Sequence, residues 1–308
     1  SQKDDDKSKD NETADGDPVY SLDDFNATKT NLGDPIEGGE ITVGLVSSTP
    51  FAGTLLHVFY TMSIDDTIMS WFTESILSKD ENFSYTQDGP ATFEVDESKK
   101  VWTIKIRDNV NWHDGEPVKA EDLEFAYEII GHPDYEGSWY GSNEKMIVGM
   151  EEYHAGKADK ISGIKVLDEK TLQITFKEAD PFVEIWRSPV PKHIFEGMTL
   201  DEMVSAPEVR ERPIGYGPFK VERIVPGESV VLTKNEDYWR GEPKLDRVVL
   251  KVIDPSNVVQ EVKTGGVDIT NFEITAYPHK DDLTNVEILA AVSNGIQFID
   301  FNMGRWDS

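Results

Sequence analysis

The sequence predicts a mixed α/β fold of the α+β kind, and three observations support this prediction. Short apolar segments that alternate with polar residues occur in pairs around turn-forming residues, which is typical of β-hairpins. Segments with apolar residues at helical spacing lie between these pairs, so helices connect strands. The chain has 308 residues, of which 38% are hydrophobic. At roughly 150 residues per domain, this length predicts about two domains and a sizeable core.

The strands are predicted from β-branched or alternating runs. The first is Glu40–Val46, which ends in a polar loop at residues 47–51. Alternating runs on either side of residues 96–98, 168–169 and 226–227 predict three hairpins. Their strands are residues 91–95 with 101–106, 161–166 with 171–176, and 219–225 with 229–233. Three further strands are predicted at residues 245–253, 267–272 and 295–302.

Three helices are predicted from apolar residues that recur every three or four positions. They cover residues 65–77, 121–130 and 257–263. In the first helix, Asp65 or Asp66 is the candidate N-cap, because a carboxylate can accept hydrogen bonds from the unpaired N–H groups of the first turn.

The net charge of the chain argues against nucleic acids and anionic membranes as partners. Lys and Arg number 30 and Asp and Glu number 59, so the net charge is −29. Such a surface cannot neutralise phosphates over a broad face, which argues against a nucleic-acid partner. It also disfavours docking on an anionic membrane through a basic patch.

No catalytic or metal-binding constellation is evident. The chain contains no cysteine, which removes thiolate nucleophiles and cysteine-based metal sites. Its six histidines are not spaced as a zinc-binding helix requires, and no nucleophile elbow or Walker loop occurs. Gly215 and Gly217 form a G-x-G that leads into a strand, so a phosphate cradle is not expected there. We therefore expect no enzyme activity, cofactor or metal.

The first 17 residues form an acidic, polar segment in which Ala14 is the only apolar residue. Such a segment buries too little apolar surface to offset its ordering entropy, so we predict disorder. Two interpretations stay open: a solvated tail, or a tether that holds the folded body away from an anchor.

Residues 101–130 (VWTIKIRDNVNWHDGEPVKAEDLEFAYEII) have a clear physical logic. An alternating strand is followed by Trp112 as an apolar anchor, by a tight turn at Asp114–Gly115, and by a helix with an acidic first turn. The interpretation that we favour is a corner that stabilises the fold without touching a ligand.

This stretch, with five others in order, resembles the extracytoplasmic solute-binding proteins of ABC importers, in the family that binds oligopeptides, dipeptides and nickel. The resemblance spans nearly all of residues 38–308. The other motifs are residues 188–192 (SPVPK), 214–219 (IGYGPF), 234–246 (KNEDYWRGEPKLD), 266–269 (GVDI) and 298–303 (FIDFNM).

A further stretch narrows the resemblance. Residues 147–157 and 161–164 are similar to oligopeptide-binding lipoproteins of Gram-positive bacteria. This implies a lipid anchor before Ser1, a place on the extracellular face of the cell membrane, and a monomer that delivers peptides to ABC permease subunits.

The resemblance implies a two-lobed clamshell that closes on its ligand. Members of the family are usually longer, so we expect a chain cut short on its C-terminal side, with the first lobe nearly complete and the second only begun. The expected division is a tether at 1–37, a first lobe at 38–268 with an inserted hairpin and helix subdomain at about 52–185, and a hinge with the start of the second lobe at 269–308.

The ligand contacts implied by the resemblance fall in two groups. In the first lobe they are Ser47, Ser48, Thr49, Trp139, Tyr140, Ser188 and Tyr216; in the hinge and second lobe they are Asn271, Phe272, Phe298, Asn302 and Met303. Packing explains several of them equally well, Phe272 and Phe298 above all.

Alternative functions stay open at this point. The same fold serves receptors for signalling pheromone peptides and for nickel chelates or haem, although the scattered histidines do not favour a metal ligand. A hydrolase would need a nucleophile or metal constellation, and none is found. Nothing in the sequence supports a role in assisting protein folding.

Overall fold

A computed structural model describes residues 34, 36–271, 283, 286 and 288. The chain divides into two compact units, one of Ile36–Asp282 and one of Ser1–Pro35 with Leu283–Ser308. Only residues 34, 283, 286 and 288 of the latter unit are described. The predicted strand at 295–302 lies outside the described residues, and so does nearly all of the predicted tether at 1–37. The expected lobe boundaries stay predictions.

A five-stranded mixed sheet is one half of the large unit. Strand β1 (Glu40–Val46) pairs in parallel with β8 (Arg247–Ile253) on one side and with β9 (Ile269–Thr270) on the other. On the far side of β8, β7 (Ser229–Lys234) and β6 (Phe219–Val225) continue the sheet as an antiparallel hairpin. Because β1, β8 and β9 are parallel, their carboxyl ends meet at one edge of the sheet.

A four-stranded antiparallel sheet is the other half. Its order is β2 (Ala91–Val95), β3 (Val101–Ile106), β5 (Thr171–Thr175), β4 (Ile164–Asp168). Helix α2 (Ala120–Gly131) packs against β4 and β5. The remaining helices are short: α1 Ser63–Met69, α3 Ser142–Lys145, α4 Met150–His154, α5 Lys192–Phe195, α6 Leu200–Ser205, α7 Pro207–Arg210 and α8 Val258–Thr264, the last preceded by a 3₁₀ turn at Pro255–Asn257.

Each sheet has its own apolar core. Residues of the five-stranded sheet, such as Val230 and Leu250, are buried with Ile68 and Phe72 of the α1 region. The larger core covers the four-stranded sheet with α2 and includes Trp112, which is 3% exposed. No helix among the described residues is both long and apolar enough to cross a membrane.

The three predicted hairpins, the helix at 121–130 and the strand at 40–46 are confirmed within a few residues. The turn at Asp114–Gly115 is also confirmed, since Gly115 has a φ of +94° and its N–H donates to the Trp112 carbonyl at 2.9 Å. The predicted strand at 267–272 is wrong in length, since β9 has two residues.

The helix predicted at 65–77 is wrong over its second half, because α1 ends at Met69. From Thr73 onward the chain is not helical, and the N–H of Ile76 donates to the carbonyl of Arg187 at 2.6 Å. Ile76 is fully buried, so the apolar spacing reflects burial of a turn and an irregular segment. The candidate caps are also wrong, since Asp65 accepts instead from the N–H groups of Gly53 and Thr54.

Candidate functional site

The carboxyl edge of the five-stranded sheet carries one group of predicted ligand contacts. The N–H of Ser47 donates to the carbonyl of Ile253 at 3.0 Å, which holds the loop after β1 beside the end of β8. Asn271 follows β9, and the Thr270 hydroxyl donates to the carbonyl of Gly44 at 3.0 Å. The structure therefore brings residues 47–49 and Asn271 to one edge, where sheets with parallel strands commonly bind ligands.

A second group of candidate ligand-binding side chains surrounds Trp139, and most of its members were not predicted from the sequence. Its ring centroid lies 5.3 Å from that of Tyr60 and 5.5 Å from that of Trp186. Trp139 and Tyr60 are partly exposed, whereas Trp186 is 7% exposed. The indole N–H of Trp139 is buried and has no hydrogen-bond partner among the described residues. We call this group and its charged neighbours the aromatic–arginine cluster: His57, Tyr60, Asp66, Trp139, Trp186 and Arg187.

The charged part of the aromatic–arginine cluster is an ion pair next to a tyrosine. Arg187 Nη2 donates to Asp66 Oδ1 at 2.5 Å and to the Tyr60 hydroxyl at 2.8 Å. The Arg187 guanidinium also lies 5.5 Å from the centroid of the Tyr60 ring. His57 Nε2 is 3.5 Å from the same Asp66 oxygen. The side chains of Arg187 and Asp66 are 36% and 33% exposed, so ligand groups can reach the pair from solvent.

Several contacts hold these side chains in place. The backbone N–H of Trp186 donates to the Tyr127 hydroxyl oxygen at 2.7 Å, and its indole N–H donates to the Ser188 carbonyl at 2.8 Å. The Arg187 carbonyl is bound by the N–H of Ile76. Residues 186–188 are therefore held by α2 and by the segment after α1. These contacts fix the position of the Arg187 backbone, from which its partly exposed side chain extends.

Burial and pairing set the charges of the aromatic–arginine cluster. Burial lowers the pKa of His57, so its imidazole is neutral at pH 7. Desolvation alone would raise the pKa of Asp66, but hydrogen bonds from His57 and Arg187 outweigh it and lower that pKa. Burial raises the pKa of the Tyr60 phenol. At neutral pH the cluster thus holds one carboxylate and one guanidinium, and its net charge is zero.

The other predicted contacts lie elsewhere. Tyr140 stacks on His154 with ring centroids 3.7 Å apart. Ser188 and Tyr216 are 5% and 1% exposed, and the Tyr216 hydroxyl donates to the carbonyl of Glu74. Their side chains lie in the interior of the unit. Phe272, Phe298, Asn302 and Met303 lie outside the described residues, so their roles stay predictions.

Sequence reasoning found Trp139 but missed its partners. His57, Tyr60 and Asp66 are close together in the sequence, but Trp139 and Arg187 lie far from them and from each other, so no spacing joins the cluster. The one available signal was the arginine directly before residues 188–192.

A separate cavity of about 920 Å³ lies near the end of α2. Its wall includes Phe59 and Tyr135, whose ring centroids are 6.4 Å apart. None of the predicted ligand contacts lines it. Across the described ranges, no three His, Asp or Glu side chains are grouped so as to hold a metal ion.

Comparison with known families gives one match over most of the chain. The sequence pattern of the bacterial extracellular solute-binding proteins, family 5 middle region, matches residues 69–307. Among curated proteins, the chain is 29% identical over 248 residues to the oligopeptide-binding protein OppA of Lactococcus lactis subsp. cremoris, which is 76% of this chain and 41% of that protein. It is 26% identical over 280 residues to the oligopeptide-binding protein AppA of Bacillus subtilis, which is 90% of this chain and 48% of that protein.

Solved structures show the same fold. Lactococcal OppA, complexed with an endogenous peptide in the closed conformation, matches with a TM-score of 0.74 at 27% identity, over 81% of this chain and 48% of that one. Bacillus subtilis AppA in complex with a nonapeptide matches with a TM-score of 0.67 at 23% identity, over 82% and 47% of the two chains. The predicted fold class is confirmed. The chain spans about half the length of the relatives it matches.

Proposed function

Since the chain belongs to family 5 of the bacterial extracellular solute-binding proteins, we propose that it captures oligopeptides and delivers them to an ABC permease without chemical conversion. The observation that carries this proposal is the aromatic–arginine cluster. Partly exposed aromatic rings beside a fixed Arg187 and Asp66 supply apolar contact area together with hydrogen-bonding groups.

The cluster suits peptides because their side chains vary while their main chain does not. A ring face tolerates many apolar partners, whereas buried peptide groups need hydrogen bonds, at a cost of about 1–3 kcal/mol for each one left unpaired. OppA of Lactococcus lactis and AppA of Bacillus subtilis, two curated relatives that the chain matches, are oligopeptide-binding proteins, which favours the same ligand class.

The proposal extends to the place of the protein in the cell. In this proposal the protein is a monomer that a lipid anchor before Ser1 attaches to the extracellular face of a Gram-positive cell membrane. Labelling of the full gene product with radioactive palmitate in its native host supports the anchor, and an unlabelled product contradicts it.

The proposed ligand class is tested by titrating the protein with an unstructured nonapeptide and recording tryptophan fluorescence. We expect binding, and we expect Trp139→Ala to weaken it about tenfold, because a well-placed aromatic contact is worth over 1 kcal/mol. Phe182→Ala is the control, since Phe182 is 83% exposed and lies outside the aromatic–arginine cluster. Circular dichroism checks that both variants fold. Equal affinities of wild type and Trp139→Ala contradict the assigned site.

A further inference from the structure

The Asp66–Arg187 pair differs from an ordinary surface ion pair in where it lies. Both side chains are about one-third exposed, at 33% and 36%, and they adjoin the partly exposed rings of Tyr60 and Trp139. Two further side chains hold the pair in place. The Tyr60 hydroxyl accepts a hydrogen bond from Arg187 Nη2, and His57 Nε2 lies next to Asp66 Oδ1. The pair therefore presents charged groups in a fixed geometry next to the rings of Tyr60 and Trp139.

The pair retains unused hydrogen-bonding capacity. A guanidinium has five N–H groups, and those of Arg187 make three contacts: two from Nη2 and one from Nη1, the last reaching Asp66 Oδ2 at 3.5 Å. The N–H on Nε and one N–H on Nη1 have no partner among the described residues. Asp66 Oδ2 accepts no other hydrogen bond within the described part of the chain.

We propose that the Asp66–Arg187 pair binds the main chain of the peptide, and that its zero net charge makes the affinity insensitive to the charge of the peptide. The free N–H groups of Arg187 donate to a peptide carbonyl, and Asp66 Oδ2 accepts a peptide N–H. An unpaired arginine would favour acidic peptides, and an unpaired aspartate would favour basic ones. This inference rests on the proposed function and specifies how that site tolerates many sequences.

Changing one partner at a time exposes the charge of the other. Asp66→Asn keeps the shape of the side chain and leaves Arg187 as an uncompensated cation. Arg187→Gln leaves Asp66 as an uncompensated anion. A purely structural pair would lose stability in both variants but would not change which peptides bind.

The test compares two nonapeptides that differ only in carrying two glutamates or two lysines at the same positions. Affinities are measured by calorimetry at about 0.15 M salt, where charges farther than about 8 Å are largely screened. We expect wild-type affinities within about threefold of each other. We expect Asp66→Asn to favour the acidic peptide, and Arg187→Gln the basic peptide, each by about tenfold, which corresponds to 1.4 kcal/mol.

Glu208→Gln and Arg212→Gln are the matched controls. They change the net charge by the same amounts at the ion pair between Glu208 of α7 and Arg212, which follows that helix, with Oε1 and Nη2 2.7 Å apart. We expect them to keep the wild-type ratio. If wild type binds both peptides and neither cluster variant changes the ratio, the inference is overturned while the proposed function stands. If wild type binds neither peptide, both as the 308-residue chain and as the complete product of its gene, the proposed function itself is overturned.

Discussion

At the scale of single residues, Glu74 shows how one partly buried carboxylate organises a family motif. Its Oε1 accepts from the indole N–H of Trp239 at 2.5 Å, and its Oε2 accepts from the Tyr238 hydroxyl at 3.3 Å. Arg107 and Arg240 lie over the Trp239 ring, 5.5 and 4.5 Å from its centroid. Residues 234–246 are thus pinned to the segment after α1 by one side chain, and their aromatic pair serves the fold.

The ionisation of Glu74 predicts a pH effect on stability. Burial raises the pKa of Glu74 above its ordinary 4.5, although the hydrogen bonds from Trp239 and Tyr238 oppose this. The folded state therefore binds its proton at higher pH than the unfolded state, and this stabilisation is lost as pH rises above 4.5 through the folded-state pKa. We expect the stability of wild type relative to Glu74→Gln to increase as pH falls from 7 to 5, measured by urea unfolding.

The control is Glu97→Gln, at an exposed position between β2 and β3. A stability difference between wild type and Glu74→Gln that stays constant from pH 7 to 5 would show that Glu74 keeps an ordinary pKa in the folded protein.

At the scale of elements, Asp122 joins three parts of the chain at the start of α2. Its carboxylate accepts from the Trp112 indole N–H at 3.0 Å, from the N–H of Lys119 at 2.9 Å and from the N–H of Lys192 at 2.9 Å. The side chain is thus an anchor for Trp112, a cap for the helix and a link to residues 188–192. The corner at 101–130 and the SPVPK segment are held by the same carboxylate, which explains the structural role expected for that corner.

Removing that carboxylate should be costly. We expect Asp122→Ala to lower the free energy of unfolding by about 3 kcal/mol, because one buried donor and two partly buried donors lose their acceptor. Glu121→Ala, one residue earlier and half-buried, should cost less than about 1 kcal/mol, since it removes only a charge near the helix N-terminus. Both values come from urea unfolding at pH 7. Equal losses for the two variants would refute the role of Asp122.

The same elements show what local sequence signals can predict. The three hairpins follow from alternation and turn residues, both of which act within about ten positions, and the structure has them where predicted. The prediction of a helix at 65–77 is wrong over its second half because the backbone N–H of Ile76 donates to the carbonyl of Arg187, which is far away in the sequence. The Tyr60–Arg187 contact that builds the candidate site is of the same long-range kind. Only folding brings such residues together, so the sequence indicates Trp139 and not its neighbours.

At the scale of the whole molecule, the order of the chain explains where the candidate site lies. The chain leaves the five-stranded sheet after β1, builds the four-stranded sheet, and returns for β6, β7 and β8. All six residues of the aromatic–arginine cluster come from the connections between strands. A scaffold of two sheets thus carries its functional groups on connecting segments, which is where binding residues are usually found.

The central claim is that this protein is an oligopeptide receptor, and native mass spectrometry of protein purified from cells tests it most directly. The spectra are recorded for the 308-residue chain and for the complete product of its gene. We predict a heterogeneous set of bound masses on the complete product that fragment as peptides, since a receptor with sequence-tolerant contacts retains a mixture of ligands. A clean ligand-free mass for both forms, or one uniform ligand that is not a peptide, would contradict this account.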